Sequence, residues 1–239
     1  MPSSFPEVIR RTGEKPTDGN QNQTRHYSEE FSRLLAIWLG SEVQNQIKGL
    51  EILPPEGKVP TCFGSKSLDV GCLDANRYLA LDISVKTFNF KDRKTNAYSK
   101  NFTGRFYELL GEGLDLRLSY PNAVLVALIF LPEDSCLDGS SRRASSFGNA
   151  VKQFQKIAID APGNSHDLCF DFVFVGLHDV SSKVRFFDAA HPPPKHGYPN
   201  KGLTETQSVI GRLLKKVDEN AASRNTSKAN IDPAFRWED

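Results

Sequence analysis

The stretch "NAVLVALIFLP", residues 122 to 132, is apolar at every position from Ala123 to Leu131, and Pro132 ends it. Such a run is too short to cross a bilayer as a helix, which takes about 20 residues. It fits a strand covered on both faces, and strands of that kind lie inside sheets with helices packed above and below. Whatever surrounds this segment must supply those two layers.

The neighbouring patterns supply them. "YSEEFSRLLAIWLGSEVQNQI" places Phe31, Leu34, Leu35, Trp38 and Leu39 at helical spacing, with Ser28 as N-cap. Pro54, Pro55 and Gly57 break the chain, after which "SKSLDVGCLD" and "RYLALDISVKTFNF" read as two strands joined by a turn near Asp74, Ala75 and Asn76. "NFTGRFYELLGEGLDLRLSY" predicts a second helix capped near Ser99 or Asn101. Its core side is Phe102, Phe106, Leu109 and Leu110, and Arg105, Glu108 and Glu112 share its polar side. "SSFGNAVKQFQKIA" predicts a third helix, "LCFDFVFVGLHDV" and "KVRFFDAA" further strands, and "TETQSVIGRLLKKVDEN" a last helix. The fold class is therefore α/β, a mixed central β-sheet flanked by helices.

The 239 residues suffice for one domain with a sizeable core, expected over 28–218. Residues 1–27 and 219–239 have little apolar periodicity and are expected to be mobile polar segments. No apolar run reaches transmembrane length and no signal-peptide layout opens the chain, so no membrane and a cytoplasmic location are expected. Cys62, Cys72, Cys136 and Cys169 form no C-x-x-C pair, which argues against a structural zinc site and, in a reducing compartment, against disulfides. His191 and His196 flank three prolines, so helical metal spacing cannot apply there. Their loop, "HPPPKHGYPNKG", suits either a stiff connection or a contact in a DNA groove. No glycine-rich phosphate loop and no G-x-S-x-G occurs.

With a net charge of +1 the chain has no global field toward nucleic acid, so any attraction must be local. "KTFNFKDRKTNAYSKNFTGR" qualifies: Lys86, Lys91, Arg93, Lys94, Lys100 and Arg105 stand against the single acid Asp92. It begins where an unusual strand ends. In "RYLALDISVKTFNF" the alternation puts Leu79, Leu81, Ile83 and Val85 on one face and Asp82, Ser84 and Lys86 on the other. A hairpin near Ala75 would set Asp69 opposite roughly residues 81 to 83. An acid beside a lysine at the open end of a sheet suits phosphodiester hydrolysis: the carboxylate holds a divalent metal, and the lysine steadies the attacking water or the phosphate charge. The basic loop would meet the nucleic-acid backbone through Lys91, Arg93, Lys94 and Lys100.

The layout resembles the PD-(D/E)-x-K nuclease superfamily, the restriction-endonuclease-like fold. "DISVKTFNF", "KNFTGRFYELLGE", "AVLVALIFLP" and "SSFGNAV" resemble segments of a bacterial family of restriction endonucleases, a likeness that covers most of residues 28 to 190. The resemblance implies Asp69 as metal-binding acid and Lys86 as the lysine of the motif. Ser84 stands where the superfamily usually has Asp or Glu, and Leu68 where it has Pro. The Ser-x-Lys variant takes its second acid from the following helix, for which Glu108 is the first candidate. Asp82 and, from the first helix, Glu42 are further candidates, and Arg105 could hold a phosphate. The implied activity is that of a Mg²⁺-dependent type II restriction endonuclease, with Mn²⁺ as substitute, acting on double-stranded DNA as a homodimer beside a cognate methyltransferase. A nuclease-like module that binds without cutting, and a nuclease for RNA or for particular structures, are the alternatives.

Overall fold

Val124 to Pro132 form the central strand of a seven-stranded sheet in the computed structural model, which describes residues 1–17, 20–47, 49–159, 170–179 and 183–226. In chain order the elements are α1 (Phe5–Thr12), α2 (Gln21–Gln46), β1 (Glu51–Ile52), β2 (Lys58–Thr61), β3 (Gly64–Ser67), β4 (Val70–Leu73), β5 (Leu79–Thr87), α3 (Phe102–Ser119), β6 (Val124–Pro132), α4 (Ser146–Phe154), β7 (Phe172–His178), β8 (Val184–Asp188), β9 (Leu203–Thr204) and α5 (Thr206–Thr226). The sheet order is β1-β4-β5-β6-β7-β8-β9. The β5–β6 and β6–β7 pairs are parallel and the other four antiparallel, so the sheet is mixed. No helix among the described residues is long and apolar enough to cross a membrane.

The uninterrupted apolar run has the expected reason. Val124, Val126, Leu128 and Phe130 face one core, which α1, α2 and α5 cover; Leu125, Ala127, Ile129 and Leu131 face the other, with α3 and α4. On β5 the alternation holds over its second half, with Leu81, Ile83 and Val85 in the α2 core. Leu79 departs from the expected face: the β4–β5 ladder shifts between Cys72 and Leu73, pairing them with Leu81 and Leu79, so Ala80 is the extra residue and Leu79 joins the α3 core. Leu110 also departs. It is 38% exposed, while Leu109 and Leu116 are the buried leucines of α3.

The N-terminal segment expected to be mobile carries α1 and the first turns of α2. Phe5 and Val8 are buried, and the Phe5 ring lies 5.5 Å from Trp38 and 6.4 Å from Phe31 between centroids. Two apolar residues a turn apart are too few to show periodicity in a short polar segment, yet they suffice to seat one helix on another. The N-cap of α2 is Asn20, whose side chain accepts from Asn22 N–H, and Ser28 lies inside the helix. At the other end α5 continues to Thr226, into the segment expected to be a polar tail; residues 227–239, with Phe235 and Trp237, lie outside the described residues, as does Cys169.

"SKSLDVGCLD" is not one strand. β2 and β3 pair as a separate two-stranded hairpin, and the chain leaves it at Leu68 and Asp69 before entering the main sheet as β4. Asp69 therefore sits at the junction of two sheets. The β4–β5 ladder pairs Val70 with Ile83, which sets Asp69 beside Ser84, further along β5 than the expected register.

Candidate active site

The polar face of β5 turns toward α3, and four carboxylates and three cations meet there, Lys66 and Asp69 arriving from the β2–β3 hairpin and its exit. α3 is held to the sheet by Arg117, which donates to Ala123 O at 2.9 Å and to Asp171 Oδ2 at 2.7 Å, while the same Asp171 oxygen accepts from Leu125 N–H at 2.8 Å. With that end fixed, Glu108 and Glu112, four residues apart, lie on one stripe of α3 facing β5.

Lys86 is the centre. Its ammonium donates to Glu108 Oε1 at 2.9 Å and to Glu112 Oε1 at 3.2 Å, and its side chain is 10% exposed. Burial works against its charge, but Glu112 and Glu108 outweigh burial and raise its pKa, so Lys86 is a cation here. Glu112 Oε1 also accepts from Lys66, on β3, at 2.7 Å. Glu108 is bonded in turn by Arg105 at 2.5 Å. Burial would lift the Glu108 pKa, and the bonds from Lys86 and Arg105 overcome it, leaving the carboxyl below its ordinary value.

Asp69 reaches β5 by another route. Its Oδ2 accepts a 2.7 Å hydrogen bond from Val85 N–H, one residue before Lys86. Burial raises its pKa, opposed by the Val85 bond and by Lys86.

Asp82 is the most deeply placed acid, 1% exposed, with Oδ1 buried and without a hydrogen-bond partner among the described residues. Ser84 Oγ lies 3.2 Å from Asp82 Oδ2 and 3.3 Å from Glu112 Oε2. One hydroxyl proton cannot serve two carboxylates at once. Burial, then the charges of Asp69 and Glu112, push the Asp82 carboxyl up to about 8, so at neutral pH it holds a proton. Protonation of Asp82 would free the Ser84 hydroxyl to donate to Glu112. Asp69, Glu108 and Glu112 are thereby balanced by Lys66, Lys86 and Arg105.

A cleft of about 310 Å³ opens beside Asp69 and Lys86, bordered by Ser32, Arg33, Pro55 and Arg105. Glu42 is not there. It accepts from Trp38 Nε1 at 3.1 Å and from Gln207 Nε2 at 2.6 Å, at the contact between α2 and α5. The α2 acid that borders the cleft is Glu29, between three and four turns earlier in the helix. Of the basic loop, Lys91, Arg93, Lys94 and Lys100 border a different cleft, near the start of α2.

Two members of the cluster were not singled out as site residues by sequence. Glu112 was visible only as a third charge on the polar side of α3, and its place between two lysines depends on how α3 is rotated. Lys66 carried no signal, because it arrives from a hairpin outside the main sheet.

The donor set fits a hard divalent cation. The available acids are carboxylate oxygens, and Mg²⁺ is held by one or two carboxylates together with substrate phosphates rather than by an all-protein cage. Among the described residues no group of three or more His, Cys, Asp or Glu side chains is gathered so as to hold a metal ion. Comparisons with family models, with curated proteins and with solved structures find no match to this chain.

Proposed function

We propose that this chain is a metal-dependent endonuclease that hydrolyses DNA phosphodiester bonds, a member of the PD-(D/E)-x-K superfamily with a restriction-endonuclease-like core and Ser84 at the variant position. The observation that carries the reading is that Asp69 and Lys86 border one open cleft, Asp69 being fastened to the residue before Lys86 and Lys86 being held by the α3 acids Glu108 and Glu112.

Asp69 with Glu112 or Glu108 would hold Mg²⁺, or Mn²⁺ in its place. When bound, the cation supplies polarisation of a phosphate oxygen and a bound water of lowered pKa. The remaining work falls to the chain. Lys86 keeps its charge and is a donor, so it suits orienting a water or neutralising developing phosphate charge rather than removing a proton. Arg105, at the rim, is placed to hold a phosphate oxygen with a guanidinium edge. Ser84 fixes the orientation of Glu112 in place of the usual acid. The reading carries with it a cytoplasmic location, a homodimer on double-stranded DNA and a partner methyltransferase.

A second reading, a nuclease-like module that binds without cutting, is favoured by one observation: Glu108 and Glu112 together hold Lys86. Plasmid digestion with Mg²⁺ or Mn²⁺ and an EDTA control separates the two. Discrete fragments that vanish in EDTA and in Asp69→Ala and Lys86→Ala support the endonuclease. Intact plasmid in every condition, with DNA still bound, supports the binding module.

A further inference from the structure

Two clefts lie along α2. The one at Asp69 and Lys86 takes Ser28 and Ser32 from this helix. The other, about 910 Å³, takes Gln21 and Thr24 one turn and more toward the N-terminus. Its walls are the 15–17 segment on one side and the loop from Phe90 to Lys100 on the other. We propose that this second groove binds the sugar-phosphate backbone of one strand of the DNA that occupies the first cleft; the inference rests on the endonuclease reading.

Charge supports the assignment. Lys15, Lys91, Arg93, Lys94 and Lys100 border the groove against one acid, Asp92. Lys91 is paired with Asp134 at 2.7 Å and Lys100 with Asp92 at 3.1 Å. Lys15 and Lys94 make no ion pair within 4 Å among the described residues. The Lys15 ammonium stands 5.1 Å from the Phe90 ring centroid and 5.8 Å from that of Tyr98. Burial, together with the nearby Lys91, lowers its pKa despite Asp134. A phosphate arriving there meets an exposed cation held over two aromatic rings.

Continuity supports it as well. Ser32 Oγ lies 2.9 Å from Thr87 Oγ1, and Asn89 Nδ2 donates to Thr87 Oγ1 at 3.3 Å and to Ser28 Oγ at 3.4 Å. This polar seam ties the end of β5 to α2 at the first cleft, and Phe90, the residue after Asn89, borders the second. Eight helical residues separate Thr24 from Ser32, roughly 12 Å. That is the axial length of roughly three to four nucleotides of one B-form strand, so one strand reaches both places.

The test is DNA binding in EDTA, where cleavage plays no part. A fluorescent duplex of about 20 base pairs is titrated by anisotropy between about 50 and 200 mM salt, with the full chain, Lys15→Ala, Lys94→Ala and the double variant. Each single change is expected to reduce the slope of log K against log salt by about 0.9, and the double change by about 1.8. Lys94 is on an exposed loop away from α1, so its effect reads the groove even if Lys15→Ala loosens the N-terminal segment. Unchanged slopes and affinities in both single variants overturn the proposal, as does a full chain that does not bind the duplex. The outcomes remain distinct from those of plasmid digestion. A cut plasmid with unchanged slopes sinks the groove alone. Groove-dependent slopes with an uncut plasmid sink the endonuclease reading and leave the groove as a backbone-binding site.

Discussion

Val85 N–H donates a 2.7 Å hydrogen bond to Asp69 Oδ2, so an acid that belongs to neither sheet is fastened to the strand position next to Lys86. Two roles of Asp69, holding the chain and carrying charge, can be separated. Asp69→Asn keeps an oxygen for Val85 and is expected to fold with little change in Tm, whereas Asp69→Ala leaves that N–H without its acceptor at a cost of about 1–3 kcal/mol. Both are expected to abolish cleavage. Thermal unfolding beside plasmid digestion reads the difference, and activity surviving in Asp69→Asn would remove Asp69 from the catalytic set.

Glu112 and Glu108 differ in how deeply they are held. Glu112, with its side chain 11% exposed, balances Lys66 and Lys86, while Glu108 is 37% exposed. Glu112→Gln leaves two largely buried cations short of a counter-charge and is expected to cost about 3–5 kcal/mol. Glu108→Gln is expected to cost no more than about 1 kcal/mol. Denaturant unfolding ranks them, and equal costs would contradict the central place given to Glu112.

The stability of the metal-free protein should respond to pH through two buried groups of opposite sign. The His178 pKa is lowered to about 4, chiefly by burial and then by Lys15, with Asp179 and Asp134 opposing. The unfolded chain binds its proton near pH 6.5, so the stability His178 contributes is present above that value and lost as pH falls from about 6.5 to about 4. Asp82, raised to about 8, acts in reverse: its contribution is complete below an unfolded pKa of about 3.9 and is lost as pH rises through about 8. Between about pH 4 and 6.5 the two slopes oppose each other, so Tm measured in EDTA should change little there and fall from about pH 6.5 to about 8. His178→Gln should expose the Asp82 slope, a Tm that falls as pH rises from about 4, and Asp82→Asn should expose the His178 slope, a Tm that falls as pH drops below about 6.5; profiles unchanged in these variants would assign the dependence to other groups.

Two glycines of α3 provide a test of its packing. A Cβ at Gly113 would lie 2.9 Å from the Phe170 ring, while Gly111 has nothing within 4 Å. Gly113→Ala is expected to destabilise by about 1–3 kcal/mol through overpacking, and Gly111→Ala to stabilise by about 0.4–1 kcal/mol. Because α3 carries Glu108 and Glu112, Gly113→Ala should also lower cleavage without changing any charged group. A Gly113→Ala protein as stable as the parent would show that α3 does not approach Phe170 this closely.

Local periodicity determined much of this protein. The run from Ala123 to Leu131 required a strand buried on both faces, and the alternation from Leu81 to Lys86 put Asp82, Ser84 and Lys86 on one side because side chains of a strand point alternately up and down. Helix α3 and its stripe of Arg105, Glu108 and Glu112 were legible too, although Leu110, expected on its core side, is exposed. What tertiary structure decided is which of those charges meet. Leu68 and Asp69 leave the β2–β3 hairpin and place Asp69 at a junction that no period announces. The docking of α1 through Phe5 gives order to a segment whose composition reads as polar tail and closes one side of the basic groove. The rotation of α3 sets Glu112, rather than Glu108 alone, against Lys86, and the β2–β3 hairpin delivers Lys66 to the same carboxylate. These contacts join residues far apart in the chain, and their geometry follows from how whole elements pack, which the spacing of residues within any one element does not contain.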